Sequence, residues 1–313
     1  MIKKNSKIFL AGHKGMVGSA ILRKLKEKKY SKVVTIEKSK LNLLNQLKVE
    51  NFLKKIKPKI VIIAAARVGG ILANNQFKAN FIYENLMIQN NLIHGSYKAG
   101  VKKLVFLGSS CVYPKNCSQP MKEEYLLTGK LEETNDAYSI AKIAGMKMCE
   151  TYSNQYGLDY KSLMPPNMYG PNDNYHNQNS HFFASLLRKI MFARDNNKKD
   201  IILWGNGKAK RELLYVDDLA DACLHFMKIK TREKIINIGN SKEKSIKEYA
   251  KFIMKKLKIN TKIIFDTKKP NGMPRKILNC NVAKKYGWKS KTDLSKGFDL
   301  TYNSFLQSKN KNI

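Results

Sequence analysis

The chain has 313 residues, 43% of them hydrophobic and 10% aromatic, enough to bury a sizeable core in one large domain or two. No run approaches the ~20 apolar residues of a membrane helix. Five widely spaced cysteines, odd in number and without metal-ligand spacing, argue against a disulfide scaffold; they predict no metal site and a reducing, cytoplasmic setting. The net charge of +35, from 59 basic and 24 acidic residues, invites a nucleic-acid reading. The lysines are spread along the whole chain, however, in doublets such as Lys54-Lys55, Lys198-Lys199 and Lys284-Lys285, with no arginine-rich arm. No specific nucleic-acid partner is therefore expected, although a positive field would help capture a substrate that carries phosphates.

In chain order, the basic start and short apolar run of "MIKKNSKIFLAGHKG" lead into a glycine turn rather than a cleavage site, so they are not read as a signal peptide. "KIFLAG" predicts a strand and "MVGSAILRKLKEK" a helix. "KVVTIE" predicts a second strand, ending near Ile36 or Glu37, followed by the helical "QLKVENFLKKIK". "KIVIIAAA" is a third strand, "NFIYENLMIQNNLIHGSYKAG" a helix closed by Gly100, and "KLVFLGSS" a fourth strand. Continuously apolar strands alternating with amphipathic helices predict an α/β fold with a doubly wound parallel sheet, the Rossmann architecture that binds dinucleotides. The rhythm breaks in the Pro-, Gly- and Asn-rich "SLMPPNMYGPNDNYHNQNS". "RELLYVDDLADACLHFM" predicts a loop and then a helix with Asp217-Asp218 at its start, where carboxylates suit the helix dipole. A dinucleotide-binding domain is expected over residues 1–170, with a return segment around 212–240. A smaller α/β substrate domain is expected over 171–313.

Three motifs carry chemistry. "AGHKGMVG" spaces Gly12, Gly15 and Gly18 between a strand and a helix, where backbone amides and the helix N-terminus suit a pyrophosphate. Glu37 near the end of the second strand favours the ribose hydroxyl of NAD, whereas Lys14, Lys38 and Lys40 favour the phosphate of NADP, so the residues leave both open. "AYSIAKIAG" sets Tyr138 and Lys142 four apart, on one face of a helix, where an ammonium would draw a phenol toward useful acidity. In "LGSSCVYP", Ser109 and Cys111 are two apart, so in extended chain both face the cleft above the sheet's carboxyl edge. Each motif also has a plain structural reading: a tight turn, a surface pair, a small buried thiol.

Taken together, "AGHKGMVG", "LNLLN", "AAARVGGILANN", "FIYENLMIQNNLI", "LGSSCVYP", "AYSIAKIAG", "NMYGPNDN", "NSHFFASLLR" and "WGNGKAKRELLYVDD" resemble the GDP-L-fucose synthases. These are 3,5-epimerase/4-reductases of the extended short-chain dehydrogenase/reductase group, and the resemblance runs through "NGMPRKIL". It implies a single site acting on GDP-4-keto-6-deoxy-D-mannose with NADP(H). Cys111 and His181 would exchange the ring protons, Ser109 and Tyr138 would polarise and protonate the ketone oxygen, and Lys142 would hold the nicotinamide ribose.

The same resemblance implies cofactor contacts at Gly12, Lys14, Gly15, Met16, Val17 and Gly18. Further contacts would come from Lys38, Ala65, Leu107, Tyr138 and Lys142, and from Pro165, Asn167, Met168 and His181. The GDP-sugar would meet Ser109, Asn167, Lys189, Trp204, Arg211 and Lys276. A homodimer through the Tyr–Lys helix and the helix before it is also implied.

The chain departs from the family at Pro166, where a threonine is usual, at Asn45, where an aspartate is usual, and at Ile36-Glu37-Lys38, where an arginine often stands. The alternatives are a reductase or epimerase acting on another GDP-keto-sugar such as a keto-heptose, and a nucleotide-sugar 4,6-dehydratase or 4-epimerase of the same fold. A dehydratase usually has acidic residues where Ser110 and Cys111 stand. A basic binding protein without activity would not need Ser109, Tyr138 and Lys142 together.

Overall fold

Alternation within short apolar runs builds a sheet buried on both faces. The computed structural model describes residues 2–176, 180–269 and 272–310. The chain begins with β1 (Ile8–Ala11), α1 (Met16–Glu27), β2 (Val33–Val34), α2 (Gln46–Ile56) and β3 (Ile60–Ile63). Next come α3 (Ile71–Gln76), α4 (Lys78–Lys98), β4 (Lys103–Leu107), α5 (Asp136–Tyr156) and β5 (Asp159–Met164). The middle of the chain forms β6 (Asn167–Tyr169), α6 (Phe182–Asp195), β7 (Asp200–Trp204), β8 (Lys210–Tyr215), α7 (Val216–Lys228) and β9 (Ile235–Asn237). The rest forms β10 (Glu243–Ser245), α8 (Ile246–Lys256), β11 (Lys262–Asp266), β12 (Arg275–Lys276), α9 (Asn281–Lys285) and α10 (Leu294–Asn310).

Six parallel strands pair in the order β2-β1-β3-β4-β5-β9, the doubly wound sheet expected from the sequence. Ile8, Leu10, Ile60, Ile62 and Val105 turn to the face covered by α1 and α7. Their neighbours Phe9, Ala11, Val61, Ile63 and Phe106 turn to the face covered by α2, α4 and α5. That period of two is what a strand imposes, and both half-sets are apolar because both faces are covered. The strand order reverses between β1 and β3, and sheets of this type bind ligands in the crevice beyond their carboxyl ends at that point.

A third core lies under α6, α8 and α10, with Phe183, Leu187, Tyr249, Ile253 and Phe298 inside it. Helix α8 is started by a capping box: Glu248 N–H donates to Ser245 Oγ at 3.1 Å, and Ser245 N–H donates to the Glu248 carboxylate at 2.7 Å. Strand β8 is the seam of the molecule. Leu213 and Tyr215 enter the third core, whereas Leu214 enters the first. "RELLY", expected to be loop, is therefore strand, pairing with β6, β10 and β12. The strand expected in "KVVTIE" contracts to two residues. Residues 177–179 of the loop and "NSH" motifs, and Asn271 of "NGMPRKIL", lie outside the described residues.

Candidate active site

At the β1–β3 crevice the glycine turn is built by close approach. Gly12 has φ +87°, and a Cβ there would stand 2.6 Å from the Ala65 nitrogen. A Cβ on Gly18 would come within 2.0 Å of the Gly12 carbonyl oxygen, which fixes how closely α1 meets the turn. Gly15 differs, because its Cβ would meet nothing nearer than Gly12 O at 3.8 Å. Internal packing does not demand glycine at that position, but a pyrophosphate lying on the N-terminus of α1 would. The residues present thus fit a dinucleotide. Met16 and Val17 start α1 and pack on the first core. Lys14 and Glu37, both exposed, form an ion pair at 2.7 Å, and the ammonium holds the carboxyl below its usual value. Lys38 is exposed beside them.

Beyond β4 the chain does not stay extended. Ser110–Val112 forms one 3-10 turn, and Ser109 caps it, its Oγ accepting from the Cys111 N–H at 3.2 Å. The expectation that Ser109 and Cys111 share a face through strand alternation is corrected: a cap brings them together. The turn is held from three sides. Ser110 N–H donates to Pro165 O at 2.9 Å, Ser139 Oγ donates to Cys111 O at 2.9 Å, and Tyr113 OH donates to Asn237 Oδ1 at 2.7 Å.

Tyr138 and Lys142 lie one turn apart on α5, with the Lys142 nitrogen 5.8 Å from the centre of the phenol ring. Lys142 Nζ donates to Leu107 O at 2.7 Å. Burial lowers Lys142 to about 7. Burial, aided by the nearby Cys111 thiolate charge, raises Tyr138, against a smaller lowering by its hydrogen bond with Ser109. The expectation that the ammonium draws the phenol toward acidity is thus corrected. In the free chain Tyr138 remains a phenol, which is the form that donates a proton.

Two cations reach the thiol from β8 and β12. Arg211 and Lys276 are register partners across β8 and β12, so their side chains leave the ladder on one face. Lys276 Nζ donates to Cys111 Sγ at 3.1 Å. Arg211 Nη1 is anchored on the carbonyls of Met273 and Lys210 at 2.6 and 2.8 Å. Burial disfavours the Cys111 thiolate, but Lys276, Ser109 and Arg211 together outweigh it and hold the thiol below its ordinary value.

The other site residues are more dispersed. His181 is half-buried at the N-terminus of α6, and burial lowers its pKa. No hydrogen bond joins its ring to Cys111 or Tyr138 among the described residues. Asn167 opens β6 opposite Leu213, between buried Pro165 and Met168. Trp204 is 42% exposed at the end of β7, with the Lys189 and Lys269 nitrogens 5.5 and 5.7 Å from its ring centre.

The sequence model of the NAD dependent epimerase/dehydratase family matches residues 8–239. The chain is 47% identical to the putative GDP-L-fucose synthase 2 of Arabidopsis thaliana, over 98% of this chain and 94% of that one. It is 44% identical to the GDP-L-fucose synthase of Escherichia coli K12, over 97% and 98% of the two chains. The chain belongs to the GDP-L-fucose synthase branch of this family. Among solved structures, a GDP-mannoheptose C4 reductase from Campylobacter jejuni with NADP bound superposes with a TM-score of 0.89 at 37% identity, covering 98% of this chain and 100% of that one.

Against this family background, one departure has a plain structural account. Asn45 is the N-cap of α2, its Oδ1 accepting from the Lys48 N–H at 2.9 Å, a job an aspartate does equally well. The contact that sequence reasoning missed is Lys276 on Cys111. The motif "NGMPRKIL" flagged the lysine, but nothing in the sequence pairs it with a thiol 165 positions away.

Proposed function

We propose that the protein is an NADPH-dependent 3,5-epimerase/4-reductase that converts GDP-4-keto-6-deoxy-D-mannose to GDP-L-fucose. The observation that carries this reading is the Cys111 thiol, held low by two cations, beside the Ser109–Tyr138–Lys142 set. Ketone reduction alone uses the serine, tyrosine and lysine. A thiol poised to ionise adds the means to remove a carbon-bound proton. C3 and C5 flank the C4 ketone, so when either C–H bond breaks its electron pair passes into the carbonyl as an enolate. Cys111 takes such a proton as its S–H bond forms. His181 returns one to the opposite face, which inverts the carbon. Ser109 Oγ and the Tyr138 phenol hydrogen-bond the ketone oxygen, and Tyr138 gives it a proton as it becomes a hydroxyl.

Bound NADPH supplies the hydride that C4 accepts. Lys142, with one donor on Leu107 O and two to spare, holds the nicotinamide ribose. NADPH is favoured over NADH because Lys14 already neutralises Glu37, leaving Lys38 for the 2'-phosphate; the NADP-bound relative supports this choice. The GDP moiety lies along the second lobe. Arg211 offers its fork to the diphosphate, Trp204 its flat face to base or sugar, and Lys189, Asn167 and Lys276 complete the site. Helices α4 and α5 pack together and leave Tyr83 and Ile140 exposed, which supports a homodimer through this pair. Five free cysteines suit a cytoplasmic setting.

The test is to incubate the protein with GDP-4-keto-6-deoxy-D-mannose in deuterated water and observe C3 and C5 by NMR. Deuterium entering both carbons is expected. A substrate that gains none while NADPH is still consumed would make the protein a simple 4-reductase.

A further inference from the structure

We propose that Lys276 is a positioning residue for the epimerising thiol, its ammonium held against Cys111 Sγ before any GDP-sugar arrives. The inference rests on the epimerase/reductase reading above and adds to it a role distinct from diphosphate binding.

The geometry is specific. Strand β12 is only two residues long and lies parallel to β8, which fixes Lys276 opposite Arg211. The chain that follows is tied both to the Gln119–Met121 segment and to β8. Ile277 N–H donates to Gln119 Oε1 at 3.0 Å, Ile277 O accepts from Met121 N–H at 2.8 Å, and Leu278 N–H donates to the buried Glu212 carboxylate at 2.8 Å. Lys276 is consequently 8% exposed, and its ammonium points at the sulfur, 3.1 Å away. A lysine that served only a diphosphate would wait in solvent in the free chain, as Lys210 does on the strand beside it.

The surroundings agree in sign. Facing the thiol are the Lys276 ammonium from β12, the Arg211 guanidinium from β8, the Ser109 hydroxyl from its own turn and the uncharged Tyr138 phenol from α5. The Glu132 carboxylate acts on Arg211 and favours its charged form, against the burial that disfavours it. Burial alone would push the thiol up, so the paired cations and the Ser109 hydroxyl are what bring it below its ordinary value.

The measurement is the pH dependence of Cys111 alkylation by iodoacetamide, followed on the Cys111 peptide by mass spectrometry in the free protein. The wild-type midpoint should lie below the ordinary thiol value of ~8.5. Lys276→Met should raise it and slow alkylation at neutral pH on the order of tenfold, one pK unit being a factor of ten in thiolate. Lys276→Arg, which keeps the charge, should recover most of the rate. A wild-type midpoint at or above the ordinary value overturns the proposal without recourse to any variant, which keeps the test decisive should Lys276→Met fail to fold. An unchanged midpoint in folded Lys276→Met, with a raised KM for the GDP-sugar, would make Lys276 a phosphate ligand only. Because no substrate or cofactor is present, the result stands even if turnover of GDP-4-keto-6-deoxy-D-mannose fails.

Discussion

The Lys142 ammonium sits 2.7 Å from the Leu107 carbonyl oxygen and 4.6 Å from the centre of the Phe106 ring, a cation held within the sheet's carboxyl edge by one acceptor and one aromatic face. Burial brings it to about 7 from an ordinary 10.5. Between those values the unfolded chain binds more protons than the folded one, so folding stability rises with pH across that window. The penalty is fully present below the folded value and fades as pH rises toward the unfolded one. Lys142→Met should therefore melt higher than wild type at neutral pH, by the equivalent of about 1 kcal/mol, with the gain shrinking in alkali. Its NADPH oxidation should fall by about 10²–10⁴. Paired thermal melts and rate assays check this, and a variant less stable than wild type at neutral pH would make the ammonium a net stabiliser.

Inversion and reduction should separate by mutation. Cys111→Ser should lose deuterium exchange at the ring carbons while retaining some oxidation of NADPH against the keto-sugar. Tyr138→Phe should do the reverse, with oxidation down by about 10²–10⁴ and exchange still visible by NMR. Exchange that survives intact in Cys111→Ser would remove the thiol from the chemistry.

Two glycines of the same turn should respond differently to one methyl group. Gly18→Ala forces a carbon to within 2.0 Å of Gly12 O and should destabilise the fold by about 3 kcal/mol or more. Gly15→Ala has room in the free protein and should melt within about 1 kcal/mol of wild type, while its KM for NADPH rises at least about tenfold. Melting curves and cofactor titrations on the two variants suffice, and unaltered NADPH affinity in Gly15→Ala would place the pyrophosphate elsewhere.

How far the sequence could be read depends on how local the determinants are. The main sheet was legible because each strand is an apolar run and each helix between them carries its own stripe. Tyr138 and Lys142 were legible because four residues on a helix is a fixed spacing. Strand β8 was not, since Leu213 and Leu214 serve different cores and Glu212 is buried by backbone donors rather than by apolar contacts. The Cys111 turn is not legible locally, because its geometry comes from a serine cap and three distant tethers. The Lys276 contact depends on a two-residue parallel pairing that no local pattern announces.

Cofactor choice should move with the exposed ion pair at the second strand. Glu37→Gln leaves Lys14 without its partner and adds an uncompensated positive charge beside Lys38. The ratio of kcat/KM for NADPH over NADH should rise by about threefold to tenfold, and the effect should weaken in high salt, as exposed charges are screened. A ratio that falls would mean that Glu37 receives the adenosine ribose of NADP itself.

A single site that both inverts and reduces should carry its keto-sugar through both steps in one incubation. The most direct measurement is to mix the protein with GDP-4-keto-6-deoxy-D-mannose and NADPH, follow the loss of nicotinamide absorbance, and assign the product by proton NMR. Cofactor should be oxidised mole for mole with formation of a product inverted at both C3 and C5, GDP-L-fucose. Oxidation giving a sugar that keeps the original configuration at C3 and C5 would contradict it.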